Sequence, residues 1–265
     1  MRSMGFSIGV FDSGLGGLSI YREIRKLLPR TPLVFLADQK NIPYGSKTRK
    51  EIRRFTSQGI EFLENKDCQL IVIACNTATT GGIDYYRRKF PHLKFVGVVP
   101  PIKLARQQTK NDKIIILSTN FTAKSLYLKN LIRRFANNFQ VKSLGCPDLV
   151  RVVEQGNIES RSSQRILRKR LDHLILNNYD SLVLGCTHFS FLRSQIKKIY
   201  GRRLKIFDPS KAVAKQTQRV WRKIRTGTLS KGSNDRFFTS GPIKEAFRVG
   251  SKLLEKKIEF KQTDK

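Results

Sequence analysis

A chain of 265 residues with 39% hydrophobic side chains can bury a core in one large or two smaller domains, which excludes a disordered or fibrous polypeptide. No apolar run approaches the length of a membrane helix, and the first residues lead into a strand without a signal-peptide pattern; a cytoplasmic location is expected, and no membrane partner. The charge stands out: 52 Lys and Arg against 20 Asp and Glu give +32, an attraction for acidic metabolites or polyanions, yet no zinc-finger, helix-turn-helix or RNA-stacking pattern accompanies it, so nucleic acid is not the expected partner.

Residues 8–11 read as an apolar strand. The glycine-rich turn at 12–17 then enters a helix with Leu15, Leu18, Tyr21, Ile24 and Leu28 at helical spacing, ended by Pro29. Such a turn can hold a phosphate or a carboxylate on its N–H groups, but this one is neither a Walker A loop nor a good GxGxxG. Leu33–Ala37 is a second strand, followed by Asp38 and the loop 41–45. Thr48 and Glu51 fit a capping box for a helix that buries Ile52, Phe55, Gly59 and Phe62 or Leu63. The run LIVIACNTA is a buried strand that stops at Cys75, Asn76 and Thr77, and a helix ending near Pro91 follows. Residues 95–99 form a further strand, and Pro100-Pro101 marks the crossing into a second half.

From Ile102 the pattern restarts with a helix, a strand at 114–117, a turn at 119–122, a helix through Phe135 and a short strand near Val141. The apolar stretch 149–154 ends in Glu154, and a helix at 163–176 leads to the run SLVLGCTHF, a strand that stops at Cys186, Thr187 and His188. Another helix and a strand at 204–207 come next. The amphipathic helix after Asp208 carries Val213, Thr217, Val220, Trp221 and Ile224 on one face. A flexible link at 227–234, a strand and turn at 236–241 and a helix at Ile243–Leu254 close the chain.

The two halves repeat one plan. Asp12 precedes Cys75 by 63 residues and Thr119 precedes Cys186 by 67, each pair sitting at the ends of two apolar strands. Ligands in parallel α/β sheets bind beyond the carboxyl ends of the strands, so facing halves would bring both cysteines to one cleft. The four cysteines show no CxxC spacing and read as free thiols, with Cys68 and Cys146 as small buried hydrophobes. Two acid/base groups on opposite sides of a planar intermediate can invert a carbon next to a carboxylate, and a thiol with an ordinary pKa of about 8.5 can be tuned to that task. Asp12 is the candidate partner of Cys75; Glu154 and His188 are those of Cys186. Taken singly, Asp12 also fits a helix cap, Glu154 a solvated helix start and His188 a structural imidazole.

Seven blocks, DSGLGGLS (12–19), NIPYGSKT (41–48), ACNTAT (74–79), VGVVPPIK (96–103), LVRVVEQG (149–156), LGCTHF (184–189) and FFTSG (237–241), together resemble the glutamate racemases in order and from end to end. The resemblance implies interconversion of L- and D-glutamate without cofactor, pyridoxal phosphate or metal, supplying D-glutamate for peptidoglycan. It implies two similar, pseudo-symmetric α/β domains with mainly parallel sheets, residues 1–99 with 210–265 and residues 100–209, and an active site in the cleft between them. It makes Cys75 and Cys186 the catalytic pair, Cys75 acting on D-glutamate and Cys186 on L-glutamate, assisted by Asp12, Glu154 and His188. Substrate contacts carried over are Asp12, Ser13, Pro43, Tyr44, Gly45, Asn76, Thr77, Thr119, Thr122, Thr187 and His188. Phe121 departs from the glycine common in the family beside those two threonines. A homodimer is the family expectation; the alternatives are a racemase for aspartate or a related amino acid, and a secondary polyanion-binding role of the basic surface.

Overall fold

The computed structural model describes residues 7–224 and 235–263; the link expected at 227–234 lies outside the described residues. In chain order the strands are β1 (Ser7–Asp12), β2 (Leu33–Ala37), β3 (Cys68–Ile73), β4 (Lys94–Gly97), β5 (Lys113–Ser118), β6 (Gln140–Gly145), β7 (Ser181–Gly185), β8 (Lys205–Phe207), β9 (Arg236–Thr239) and β10 (Phe260–Gln262). The helices are α1 (Leu18–Leu27), α2 (Arg49–Glu64), α3 (Asn76–Lys89), α4 (Ile102–Gln108), α5 (Asn120–Lys124), α6 (Leu126–Ala136), α7 (Pro147–Glu154), α8 (Arg161–Leu176), α9 (Arg193–Tyr200), α10 (Ser210–Ile224) and α11 (Ile243–Leu254).

All strand pairs are parallel and form two sheets, ordered β10-β9-β2-β1-β3-β4 and β6-β5-β7-β8. The second sheet has the order of four consecutive strands of the first, β2-β1-β3-β4, which run to its β4 edge. The duplicated sequence plan is therefore a duplicated topology. In each sheet the chain leaves the first strand to one side and returns on the other, so a crevice opens between β1 and β3 and again between β5 and β7, outside their carboxyl ends. Helices cover both faces, which is why these strands are continuous apolar runs: Leu70 to Ile73 and Ile114 to Leu117 are fully buried. Each such side chain stabilises the fold by about 1.5–3 kcal/mol.

After β8 the chain crosses back, α10 packing on α1 and β9 pairing with β2. Thr48 forms the capping box of α2, its hydroxyl accepting from Glu51 N–H at 3.3 Å while Glu51 accepts from Thr48 N–H at 2.8 Å. The region after β5 departs from expectation. The segment 119–122 is the cap and first turn of the separate helix α5, and Ser125, whose hydroxyl accepts from Leu128 N–H, starts α6 anew. Pro147, suited to a first helical position, turns 147–154 into a helix. The edge strand β10 was not foreseen, because its three residues carry one buried apolar side chain, Phe260, within a charged stretch.

The return of the chain is clamped by Asp235. Its carboxylate accepts from Tyr21 hydroxyl, from the Arg25 guanidinium and from Leu33 N–H, while Arg25 also donates to the carbonyls of Leu28, Pro29 and Thr31. Asp235→Ala leaves a partly buried arginine without its counter-ion, and we expect a loss of about 3 kcal/mol in urea unfolding. An unchanged unfolding midpoint would show that this clamp does not hold the closing strand.

Candidate active site

The carboxyl ends of both sheets face one cavity with about 490 Å³ of empty space. Of the residues singled out from sequence, Ser13, Pro43, Tyr44, Gly45, Asn76, Thr77, Thr119, Thr187 and His188 line it together with Cys75 and Cys186. Asp12, Glu154 and Thr122 stand behind that lining, bonded to groups within it. Ile42, Ser46, Asn120, Pro147 and Val150 complete the wall. Cys68 and Cys146 are buried elsewhere, and all four cysteines are free.

Cys75 caps α3. Its Sγ accepts from Ala78 N–H at 3.4 Å and lies 3.4 Å from Ser13 Oγ. Burial, reinforced by the Asp12 carboxylate, pushes its pKa up to about 12, against the smaller opposing pull of Ser13 and Ala78 N–H. Without a ligand this sulfur keeps its proton at neutral pH.

Cys186 stands in a different setting. Its Sγ is 3.6 Å from His188 Nδ1, and His188 Nε2 is 2.6 Å from Glu154 Oε1. Burial alone would lower the pKa of His188; the hydrogen bonds to Cys186 and Glu154, with the negative charge those groups can carry, outweigh it and hold the imidazole well above its ordinary 6.5. This setting favours the protonated ring, which donates from both nitrogens and attracts negative charge on the neighbouring sulfur.

The two carboxylates are held across the cleft. Asp12, fully buried, accepts from Gly14 N–H at 2.8 Å and from Thr187 hydroxyl at 3.0 Å. Burial lifts its pKa to about 6, outweighing the pull of the His188 charge, Gly14 N–H and Thr187 hydroxyl. Glu154 accepts from Leu15 N–H at 2.7 Å and from Gln39 Nε2 at 2.9 Å. The glycine-rich turn therefore spends two of its N–H groups on the protein's own carboxylates. Its glycines serve close approach: a Cβ on Gly14 would sit 2.4 Å from Glu154 Oε1, and one on Gly16 2.5 Å from His188 Nδ1.

The remaining polar groups form two networks. Thr77 Oγ1 and Thr119 Oγ1 are 2.9 Å apart, and Thr119 donates to Thr122 Oγ1 at 3.2 Å, a hydroxyl chain that joins the two sheets. Tyr44 hydroxyl donates to Asp38 at 2.6 Å, and Asp38 also accepts from Asn41 and Ser240. Asp38 and Gln39 were missed from the sequence, although a polar pair at the tip of β2 has the same placement as the residues at the tips of β1 and β3. Asn76 is 2% exposed, yet neither its amide nitrogen nor its oxygen has a protein partner. A buried amide left open at a cavity wall is suited to a polar ligand. Among the described residues no group of three His, Cys, Asp or Glu is placed to hold a metal ion, and no helix is long and apolar enough to cross a membrane.

Comparison with known proteins relates this arrangement to a family. The family described as Asp/Glu/Hydantoin racemase matches residues 8–217. A glutamate racemase of Clostridium novyi (strain NT) is 34% identical over 249 residues, covering 93% of this chain and 96% of that protein. The glutamate racemase isoform RacE1 of Bacillus anthracis superposes with a TM-score of 0.85 at 28% identity, covering 97% of each chain. The Escherichia coli glutamate racemase, solved in complex with L-glutamate and the activator UDP-MurNAc-ala, superposes with a TM-score of 0.83 at 30% identity and the same 97% coverage of each chain.

The state of Asp12 has a consequence for stability. The folded chain binds this proton more tightly than the unfolded chain, so its contribution to stability is full below the ordinary value of 3.8 and is lost as pH rises to about 6. Asp12→Asn keeps the Gly14 bond, lets Thr187 accept instead of donate, and removes the buried charge. We expect it to be more stable than the parent protein at pH 8 by on the order of 1–2 kcal/mol, with no advantage at pH 4, in thermal unfolding at the two pH values. A variant less stable than the parent at pH 8 would contradict this.

Proposed function

The chain belongs to the Asp/Glu/hydantoin racemase family, and we propose that it interconverts L- and D-glutamate by passing the Cα proton between Cys75 and Cys186. The observation that carries this reading is the meeting of two free thiols, from equivalent strand ends of two sheets that share a four-strand order, in one cavity, each with its own acid/base partners. Glutamate as substrate rests on the relatives, which are glutamate racemases over nearly the whole chain, and on the Escherichia coli protein solved with L-glutamate. The reading takes residues 1–99 with 210–265 and residues 100–209 as the two α/β units, a division supported by the way the strands divide between the sheets. It places the enzyme in the cytoplasm, as a source of D-glutamate for peptidoglycan.

The chemistry follows from the two settings. The α-carboxylate of the substrate takes the N-terminal end of α3, where Asn76 offers its open amide and Thr77 its hydroxyl, and where the helix dipole favours negative charge. With L-glutamate, Cys186 as thiolate takes the Cα proton: the C–H bond breaks, an S–H bond forms, and a planar carbanion remains. Cys75 gives its proton to the opposite face, which yields D-glutamate and leaves Cys75 as thiolate. The reverse reaction exchanges the roles. His188, held cationic by Glu154, offsets the charge on Cys186 before the first transfer. Asp12 lies behind Cys75, where the α-ammonium group of the substrate brings a positive charge to both. Both cysteines are 5% exposed, and a bound substrate filling the cavity would keep the transferred proton from solvent during the inversion.

Cys75→Ser and Cys186→Ser are each expected to slow racemisation at least about a thousandfold, within the range attributed to a positioned acid or base, whereas Cys68→Ser and Cys146→Ser stay within a few-fold of the parent. A coupled assay of D-glutamate formation on the four variants checks this. Equal damage from all four, or an active Cys186→Ser, would sink the assignment.

A further inference from the structure

The FFTSG block at 237–241 has no part in the chemistry above, yet it reaches the active site by two routes, Ser240 through Asp38 to Tyr44 and Thr239 through Gln39 to Glu154. Gln39 lies just past β2. Its Oε1 accepts from Thr239 hydroxyl at 2.9 Å, and Thr239 in turn accepts from Gly241 N–H at 3.0 Å. Gly241 is packed so closely that a Cβ there would sit 2.7 Å from Gln39 Cβ. With its oxygen engaged by a fully buried threonine, the amide has one orientation left: its nitrogen points at Glu154 Oε2, 2.9 Å away. The other oxygen of Glu154 takes Leu15 N–H and His188 Nε2. Gln39 is therefore the side-chain donor that fixes the plane of this carboxylate, and the carboxylate in turn fixes the ring that faces Cys186.

We propose that Gln39, locked by Thr239 and Gly241, is a positioning residue for the Cys186 half of the reaction, acting through Glu154 and His188. This rests on the two-cysteine reading. Cys75 makes no hydrogen bond to this chain of contacts; its hydrogen-bond partners are Ser13 and Ala78 N–H. A change at Gln39 accordingly slows one proton transfer and leaves the other alone.

Two variants test it in the full-length enzyme. Gln39→Leu keeps the bulk and removes the donor; Thr239→Val keeps the shape and releases the lock. Because the two enantiomers have equal free energy in water, kcat/KM must fall equally in both directions, and we expect about a tenfold loss for Gln39→Leu, the scale of a hydrogen bond to a charged group. The loss falls on kcat, with KM within about a factor of two. The distinguishing readout is the isotope effect of deuterium at Cα. Slowing the Cys186 transfer makes that step more fully rate-limiting, so the effect grows with L-glutamate and shrinks with D-glutamate, with Thr239→Val moving the same way by less.

Parent-like rates in Gln39→Leu, a loss that leaves both isotope effects unchanged, or effects that move in the opposite sense would overturn the proposal while leaving the two-cysteine reading intact. Absence of racemisation by the parent enzyme, or full activity of Cys186→Ser, would overturn both.

Discussion

Two bases can serve opposite faces of one carbon only if two sets of strand ends are held facing each other, and in this chain that constraint is met by carboxylates held from across the cleft. Asp12, from the first sheet, takes the hydroxyl of Thr187 from the second. Glu154, following the second sheet's β6, takes Leu15 N–H and the Gln39 amide from the first. Each carboxylate takes at least one donor from the opposite half, so separating the halves would cost Asp12 the Thr187 hydroxyl and Glu154 both Leu15 N–H and the Gln39 amide. The same bonds that hold the cleft together thus position the acid/base groups. The glycines of the first turn belong to this arrangement, since side chains there would collide with Glu154 and His188.

Within that frame the two sulfurs are not equivalent. Cys75 has a buried carboxylate behind it and keeps its proton, whereas Cys186 faces an imidazolium that favours negative charge. The proposed two-base inversion needs two sulfurs in different protonation states, and the ligand-free protein already gives them different neighbours. The duplicated topology supplies two equivalent positions; in the proposed reaction the residues around them make one a proton donor and the other an acceptor.

What could be read from the sequence was what is encoded locally. The buried strands, the polar residues at their tips, the capping box at Thr48 and the doubled Asp12–Cys75 and Thr119–Cys186 spacing all lie in short runs of chain. The pairings that make the site work join residues far apart, as Gln39 to Glu154, Glu154 to Leu15 and Ser240 to Asp38 do, and no local pattern announces them. Asp38 and Gln39 were overlooked for that reason, and the glycine-rich turn invited a ligand-binding reading when two of its N–H groups were already taken by the protein's own carboxylates. The +32 charge was legible as a number but not as a role. Among the described residues some of its cations lie over aromatic rings, as Arg54 over Phe55 and Arg53 over Tyr85.

The most direct test of two-base inversion is proton NMR of the purified enzyme with L-glutamate in D2O, followed early in the reaction by chiral separation. The account predicts that D-glutamate appears with deuterium at Cα while the unconverted L-glutamate keeps its protium, because Cys75 delivers a solvent-equilibrated hydrogen to the face opposite the one Cys186 deprotonates. Deuterium entering both enantiomers at equal rates would mean that a single base serves both faces, and would contradict the division of labour between Cys75 and Cys186.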